Sequence, residues 1–380
     1  MHVKGYGAPE TQAAMERARL LIERAETLEE TPDDPLLLFL VLYGFWTANY
    51  VVFNGDVCRD LADHFLALAE KQGATVPLVI GHRIMGPSLM IRGDIVEAQG
   101  HYDRAITLYD PTEHRALAMR FSADASVMIL THRAWNLRLL GYPTTALRDA
   151  EEALKNAREI GQAVSLMFAL FFVGRFHILC GNYSVAAALT QELSALADEK
   201  SALFWKTSGT LHRGCILALT GKVSDAVQTI NSGIIEWRSK GATLWMPVWL
   251  SYLTGAYAEL GEFDDAWRCV DEAVTAIEIT KEKWWEAEVH RVAGEIALKS
   301  PEPDVVKAEA YFERALAVAR QQQAKSWELR AATSLARLWR DQGKVQQARE
   351  LLGPVYEWFT EGFDTRDLKE AKALLEELAA

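Results

Sequence analysis

Apolar positions recur along most of this chain with the three- and four-residue spacing of amphipathic helices, and glycines interrupt that spacing at a regular interval. Gly141, Gly181, Gly221 and Gly261 lie 40 residues apart, with helical patterning on both sides of each. Glycine readily takes the left-handed backbone conformation that ends many helices. Each glycine therefore predicts the corner of a helix hairpin, and the period indicates one hairpin per repeat.

Each of these glycines opens a six-residue pattern, clearest in the Gly-Glu-Phe-Asp-Asp-Ala sequence at 261–266, and the pattern also begins at Gly93 and Gly343. The alanine that closes it is small enough for the second helix to approach the first. Small residues also recur seven positions before the glycine, as at Gly86 and Ala134. This arrangement is typical of tetratricopeptide repeats, although their usual period of about 34 residues is shorter.

The pattern predicts an all-α fold: a tetratricopeptide-like solenoid of helix hairpins in a right-handed superhelix, with about eight repeats of about 40 residues. We expect residues 1–34 to form an N-terminal helix that completes a truncated repeat, and residues 35–353 to form the superhelix. Residues 354–380 are predicted to be a C-terminal cap. Its helix carries Leu368, Ala371, Leu374, Leu375 and Leu378 on one face.

The composition and charge of the chain argue against several classes of function. The net charge of −12 argues against a nucleic-acid partner, because such binding depends on cationic contacts to phosphate. The four cysteines have no metal or disulfide spacing, and the acidic N-terminus does not resemble a signal peptide. We therefore expect a cytoplasmic protein. The uncharged run 36–53 is interpreted as a helix buried between neighbours rather than a membrane span.

The sequence contains no phosphate-binding loop, no nucleophile elbow, no zinc-protease motif and no calcium loop. The nine histidines include no set of three at metal-ligand spacing. We therefore predict a protein that is not an enzyme and that carries no metal or cofactor.

Binding in a groove is the remaining chemistry. Histidine–arginine pairs recur in the first helices, which line the concave side of a tetratricopeptide superhelix, and aromatic residues cluster in the N-terminal half. The pairs predict a basic stripe for an anionic ligand or acidic peptide, or ion pairs between repeats. The aromatic residues predict an apolar pocket or ordinary core. The groove candidates are His82, Arg83, Trp135, Phe171, Arg175 and Arg291.

Several stretches are more specific than the repeat pattern. They are Gly-His-Arg-Ile-Met-Gly at 81–86, Leu-Tyr-Asp-Pro at 108–111, Ala-Arg-Leu-Trp-Arg-Asp-Gln-Gly at 336–343, Leu-Leu-Gly-Pro-Val-Tyr at 351–356 and Phe-Thr-Glu-Gly-Phe-Asp-Thr at 359–365. Nearly the whole chain resembles the C-terminal repeat region of large bacterial signalling proteins. Those proteins join a class III adenylate cyclase or DNA-binding effector domain, an AAA-like or STAND-type ATPase module and a tetratricopeptide tail. The helical repeats of the maltose-regulon activator are a more distant resemblance.

The resemblance implies a sensor or docking arm that restrains or releases the ATPase and effector modules, which this sequence does not contain. The function predicted first is a non-catalytic regulatory module that binds a protein or peptide, such as that ATPase or effector domain, in its groove. The alternative is a small-molecule sensor with a closed pocket between Phe45 and Arg175. Neither hypothesis involves nucleic acid or a membrane.

Overall fold

The computed structural model describes residues 36–379, together with Ala13, Arg17 and Leu20. The helix predicted over residues 1–34 lies outside this range. Within the range the fold is all-α, as predicted, and residues 36–379 contain helices but no strand. Among these helices, none combines the length and apolar character that a membrane span requires.

Eight helix hairpins follow one another, and we number them repeats 1 to 8. They are α1 (Leu37–Val51) with α2 (Gly55–Gln72), α3 (Thr75–Arg92) with α4 (Ile95–Leu108), α6 (Ala125–Leu140) with α7 (Pro143–Ile160), α8 (Ala163–Leu179) with α9 (Tyr183–Glu199), α10 (Leu203–Leu219) with α11 (Val223–Ser239), α12 (Met246–Leu260) with α13 (Phe263–Thr280), α14 (Glu286–Lys299) with α15 (Val305–Gln321), and α16 (Lys325–Asp341) with α17 (Val345–Glu357). A short helix α5 (Pro111–His114) and a 3-10 turn (Arg115–Met119) separate repeats 2 and 3. The last helix, α18 (Arg366–Ala379), follows repeat 8.

The turn glycines behave as the spacing predicts. All six glycines that open the six-residue pattern have positive φ, between +77° and +96°. A left-handed residue lets the chain reverse direction while its N–H bonds the last carbonyls of the first helix. The repeat register taken from the sequence is therefore confirmed.

Repeat 1 has no left-handed glycine at its corner. Asn54 caps α2 by accepting a hydrogen bond from the Val57 N–H, and Gly55 is already helical. The range predicted as a cap, residues 354–380, contains the end of α17, which continues through Pro354 to Glu357, and helix α18, which buries Leu368, Ala371, Leu374 and Leu378.

The superhelix coils far enough for repeats 1 to 3 to contact repeats 6 to 8. The Val51 carbonyl at the end of α1 accepts hydrogen bonds from the N–H groups of Thr243 and Leu244, both at 3.1 Å. The Ile91 carbonyl near the end of α3 accepts them from Lys283 at 2.8 Å and Trp284 at 3.1 Å. These bonds join repeat 1 to repeat 6 and repeat 2 to repeat 7.

Repeat 3 meets repeat 8 in the same way, because the Ser326 hydroxyl donates to the Arg138 carbonyl, 188 residues away. We call the three sets of bonds the inter-turn contact. In each set, a carbonyl near the C-terminal end of one first helix accepts a hydrogen bond from a group just before, or at, the start of another first helix. Such carbonyls have no partner within their own helix. Opposite ends of two helix dipoles therefore face each other, which is favourable.

The closed superhelix has a dense aromatic interior. Trp135 of repeat 3 packs against Trp245 and Trp284, which precede the first helices of repeats 6 and 7, with ring centroids 5.3 Å and 5.5 Å apart. All three indoles are almost completely buried. The part of the concave side that faces the N-terminal half is thus filled by side chains of the chain itself.

Candidate functional site

The first helices of repeats 4 to 8 surround an open chamber on the concave side, and α18 closes one side of it. The cavity has a volume of about 390 Å³. Its wall comes mainly from α12, α14 and α16, with the ends of α8 and α10 and the first turns of α18 completing it.

Charged side chains of both signs line the chamber in equal number. Five are basic: Arg291, Lys299, Arg330, Arg337 and Arg366. Five are acidic: Glu259, Glu288, Glu295, Asp367 and Glu370. The chamber therefore presents donors and acceptors without a net charge, unlike the basic stripe that the sequence predicts.

Arg330 is the centre of an ion-pair network on the chamber wall. Its guanidinium donates to Glu288 at 3.0 Å, to Asp367 at 2.8 Å and to the Leu179 carbonyl at 3.0 Å. Arg138 donates to the same carbonyl at 3.0 Å and to Asp367 at 3.2 Å. The network joins repeats 3, 4, 7 and 8 to the cap.

The arginines keep the carboxylates of Glu288 and Asp367 ionised. Burial raises the pKa of Glu288, but Arg291 and Arg330 outweigh it and hold that pKa below its ordinary value. Burial likewise raises the pKa of Asp367, and Arg330 and Arg138 together lower it further than burial raises it. Both groups are therefore charged near neutral pH.

Part of the wall is apolar and made of small residues. Ala218 of α10 and Gly255 and Ala256 of α12 form a shallow strip, flanked by Val292 and Ile296 of α14. A Cβ added at Gly255 would meet no atom within 4 Å. The strip thus has room for an apolar group that enters the chamber.

Of the six residues predicted to line the groove, Arg291 lies in the chamber. Its guanidinium donates to Glu288 at 2.8 Å and pairs with Glu295. Arg291 thus stands on the concave side, as its position ten residues before the repeat corner suggests, but within ion pairs rather than in a free basic stripe.

Three of the predicted residues meet in the buried interior instead. The Arg175 guanidinium lies 4.2 Å from the Trp249 ring centroid, 4.6 Å from that of Trp245, 5.1 Å from that of Trp135 and 6.0 Å from that of Phe171. Arg175 is only 2% exposed, and burial lowers its pKa to about 10. The cation is therefore enclosed by aromatic faces, and the aromatic residues expected to line a closed pocket are packed around it.

The last two predicted residues, His82 and Arg83, lie in different environments although they are adjacent in sequence. Arg83 is buried above the Tyr43 ring, with its carbon Cζ 4.9 Å from the ring centroid, and it donates to the Phe121 carbonyl at 3.4 Å. His82 is half-buried and lies in a surface hollow with His101. The His–Arg pairs consequently do not form one continuous surface.

Sequence reasoning missed Glu288, Arg330, Asp367 and Tyr252, all of which line the chamber. Glu288 is three residues before Arg291 on α14, so the ion pair was visible as a helical spacing. Arg330 and Asp367 carried no such signal, because their partners lie in other repeats.

These repeats, their capping helix and the chamber on the concave side define a helical solenoid of the tetratricopeptide type. No protein-family model matches the sequence, and no curated protein matches it significantly. Solved structures do. The chain is similar to a Rap protein complexed with competence and sporulation factor, with a TM-score of 0.64, 12% identity, and 96% of this chain and 95% of that one covered.

Two further structures share the fold over almost their whole length. One is the Rap conjugation gene regulator of the plasmid pLS20 in complex with the Phr* peptide, with a TM-score of 0.56, 10% identity and coverage of 97% and 94%. The other is the apo form of the quorum sensor NprR from B. thuringiensis, with a TM-score of 0.52, 12% identity and coverage of 92% and 96%. These similarities establish the fold, and the finer resemblance to cyclase- and ATPase-linked signalling proteins stays a prediction.

Proposed function

We propose that the chain is a regulatory interaction module that binds a peptide segment of a partner in the chamber of repeats 4 to 8. The observation that carries this proposal is the chamber wall itself, where guanidinium and carboxylate groups alternate beside a strip of small apolar residues. Carboxylates accept from peptide N–H groups and guanidiniums donate to peptide carbonyls. The strip provides space for an apolar side chain.

Size and charge favour a short peptide over the other ligand classes. A cavity of about 390 Å³ lies in the range of pockets that enclose a small ligand or a few residues, about 300–1,000 Å³. The equal number of basic and acidic groups gives no advantage to a polyanion such as nucleic acid, whose binding requires a surplus of cations.

The structural comparisons support the same class of ligand. One similar structure is a complex with the Phr* peptide, and another is a quorum sensor. A superhelix of this fold can therefore hold a peptide, which supports a peptide ligand for this chain.

The proposed role is regulation without catalysis. The partner we propose is the ATPase or effector module of a bacterial signalling protein, as the sequence resemblance implies. Peptide binding would shift the equilibrium of that module by the difference in affinity between its two states. The alternative, a small-molecule sensor with a closed pocket between Phe45 and Arg175, is less well supported, because aromatic side chains enclose Arg175 there.

Gly255→Leu tests the chamber directly. The new side chain would extend into the chamber, since nothing lies within 4 Å of the added Cβ. We expect a peptide selected on the immobilised full chain to bind this variant at least about tenfold more weakly, a loss of about 1.4 kcal/mol. Calorimetric titration measures the change. Stability should not fall, because leucine favours a helix interior more than glycine does.

Gly100→Leu is the matched control. Gly100 also lies within a helix, with nothing within 4 Å of an added Cβ, but it is on α4, away from the chamber. This variant should bind the peptide as tightly as the original chain. Equal weakening in both variants, or a selection that yields no peptide with a Kd below about 100 µM, would rule out the proposal.

A further inference from the structure

A surface hollow in repeat 2, separate from the chamber, brings two histidines together. His82 lies on α3 and His101 on α4, and their Nδ1 atoms are 3.0 Å apart. The ring centroids are 5.1 Å apart. Glu70, Glu97 and Arg104 are among the residues that line the same hollow, whose volume is about 580 Å³.

One of the two Nδ1 atoms carries a proton, because two nitrogens 3.0 Å apart form a hydrogen bond only when one of them donates. An ion between them needs a lone pair on both. Binding therefore requires one histidine to move its proton from Nδ1 to Nε2, which is the other tautomer of the neutral ring.

The distance between the two nitrogens matches joint ligation of one ion. Zinc–imidazole bonds are about 2.0–2.1 Å long, so two nitrogens on one ion stand about 2.9–3.4 Å apart for bond angles from square to tetrahedral. The observed 3.0 Å lies in that interval. We propose that His82 and His101 bind a divalent transition-metal ion of the Zn²⁺ or Ni²⁺ class.

Glu97 is the third ligand in this proposal. It precedes His101 by four residues on α4 and therefore shares its face. Both side chains line the hollow. The Glu97 carboxylate is more than half exposed, and its ion pair with the Arg59 guanidinium is long, at 3.9 Å. It can therefore turn towards the ion at little cost.

Water completes the coordination. Within residues 36–379 no three metal-ligating side chains are already assembled, so binding requires Glu97 to change rotamer. Arg104 lies in the hollow and acts on His82 as a positive charge, which opposes a cation. We therefore expect micromolar rather than nanomolar affinity.

Calorimetric titration of ZnCl₂ or NiCl₂ alone into the full chain, carried out without a histidine tag, tests the site. One ion should bind per chain. His82→Gln and His101→Gln should each weaken binding at least about tenfold, and Glu97→Gln should weaken it less. His64→Gln is the control, because His64 is exposed on α2 and does not line the hollow; this change should leave binding unaltered.

A thermal melt separates loss of the site from loss of the fold. Zn²⁺ should raise the melting temperature of the original chain and of His64→Gln, but not that of His101→Gln. The proposal is overturned if the ion does not bind, or if His82→Gln and His101→Gln, each folded by circular dichroism, bind it as tightly as the original chain. The pair would then be a histidine–histidine hydrogen bond alone.

Discussion

Arg330→Met is expected to lower the free energy of unfolding by about 3 kcal/mol, because breaking a buried ion pair leaves a charge without compensation. Arg330 donates to a carboxylate of repeat 7, a carbonyl of repeat 4 and a carboxylate of the cap. Methionine preserves much of the apolar volume but none of the donors. Glu288, which is almost completely buried, would keep only Arg291 as a close partner.

Urea unfolding measures this loss, and Arg268→Met serves as the control. Arg268 pairs with Asp265 on the surface of α13, where both side chains are at least one-third exposed. Exposed pairs contribute little, so this change should cost less than about 0.5 kcal/mol. Similar losses for the two variants would mean that the network does not hold the repeats together.

The same network predicts how stability depends on pH. Glu288 and Asp367 have lowered pKa values in the folded chain, so their contribution is fully present above the pKa of an unfolded carboxyl, about 4. The contribution is lost as the pH falls through the lower folded pKa values. The stability difference between the original chain and Arg330→Met should therefore be constant near neutral pH and narrow below about pH 4.

Gly141→Ala is expected to destabilise the chain by more than about 2 kcal/mol, because it combines an unfavourable left-handed conformation with overpacking. Gly141 has a φ of +96°, and a Cβ added there would overlap the Trp358 ring and lie 2.9 Å from the Lys325 Cβ. Both neighbours belong to the end of the array. The clash would thus occur where repeat 3 meets repeat 8.

Variants of two other turn glycines distinguish the cost of the left-handed backbone conformation from the cost of the steric clash. Gly221→Ala, at φ +81° with nothing within 4 Å, should cost only about 1 kcal/mol. Gly93→Ala has almost the same φ as Gly141, +95°, but faces the flexible Gln322 side chain, so its cost should lie between the other two. If all three variants lose the same stability in urea unfolding, the superhelix does not close on itself.

Much of the fold was predictable because it depends on local signals. A glycine at six of the eight repeat corners indicates a left-handed residue, and the alanine five positions later indicates close helix packing. The cap was predictable from the single apolar face that ends in Leu378, since a solenoid must cover its last repeat. The continuation of α17 through Pro354 could not be predicted, because proline usually interrupts a helix.

Closure of the superhelix could not be predicted in this way. The inter-turn contact uses backbone groups, such as the Val51 carbonyl and the Thr243 N–H, and these carry no residue preference. Closure also depends on the small rotation of each repeat relative to the one before it, which accumulates over five repeats. A helix hairpin read in isolation contains none of that information.

The site prediction depended on the same missing information. An open groove would expose Trp135 and Arg175, whereas the closed superhelix buries both. Arg291 lies far enough along the array to reach the remaining chamber. Arg330, which shares Glu288 with Arg291, became recognisable only when Asp367 of the cap was placed beside it.

The most direct test of the account is a crystal structure of the full chain with the peptide selected on it. We predict electron density for that peptide in the chamber, in contact with Tyr252, Arg291 and Arg337. Density for the peptide on the outer helices, with the chamber occupied by solvent alone, would contradict the account.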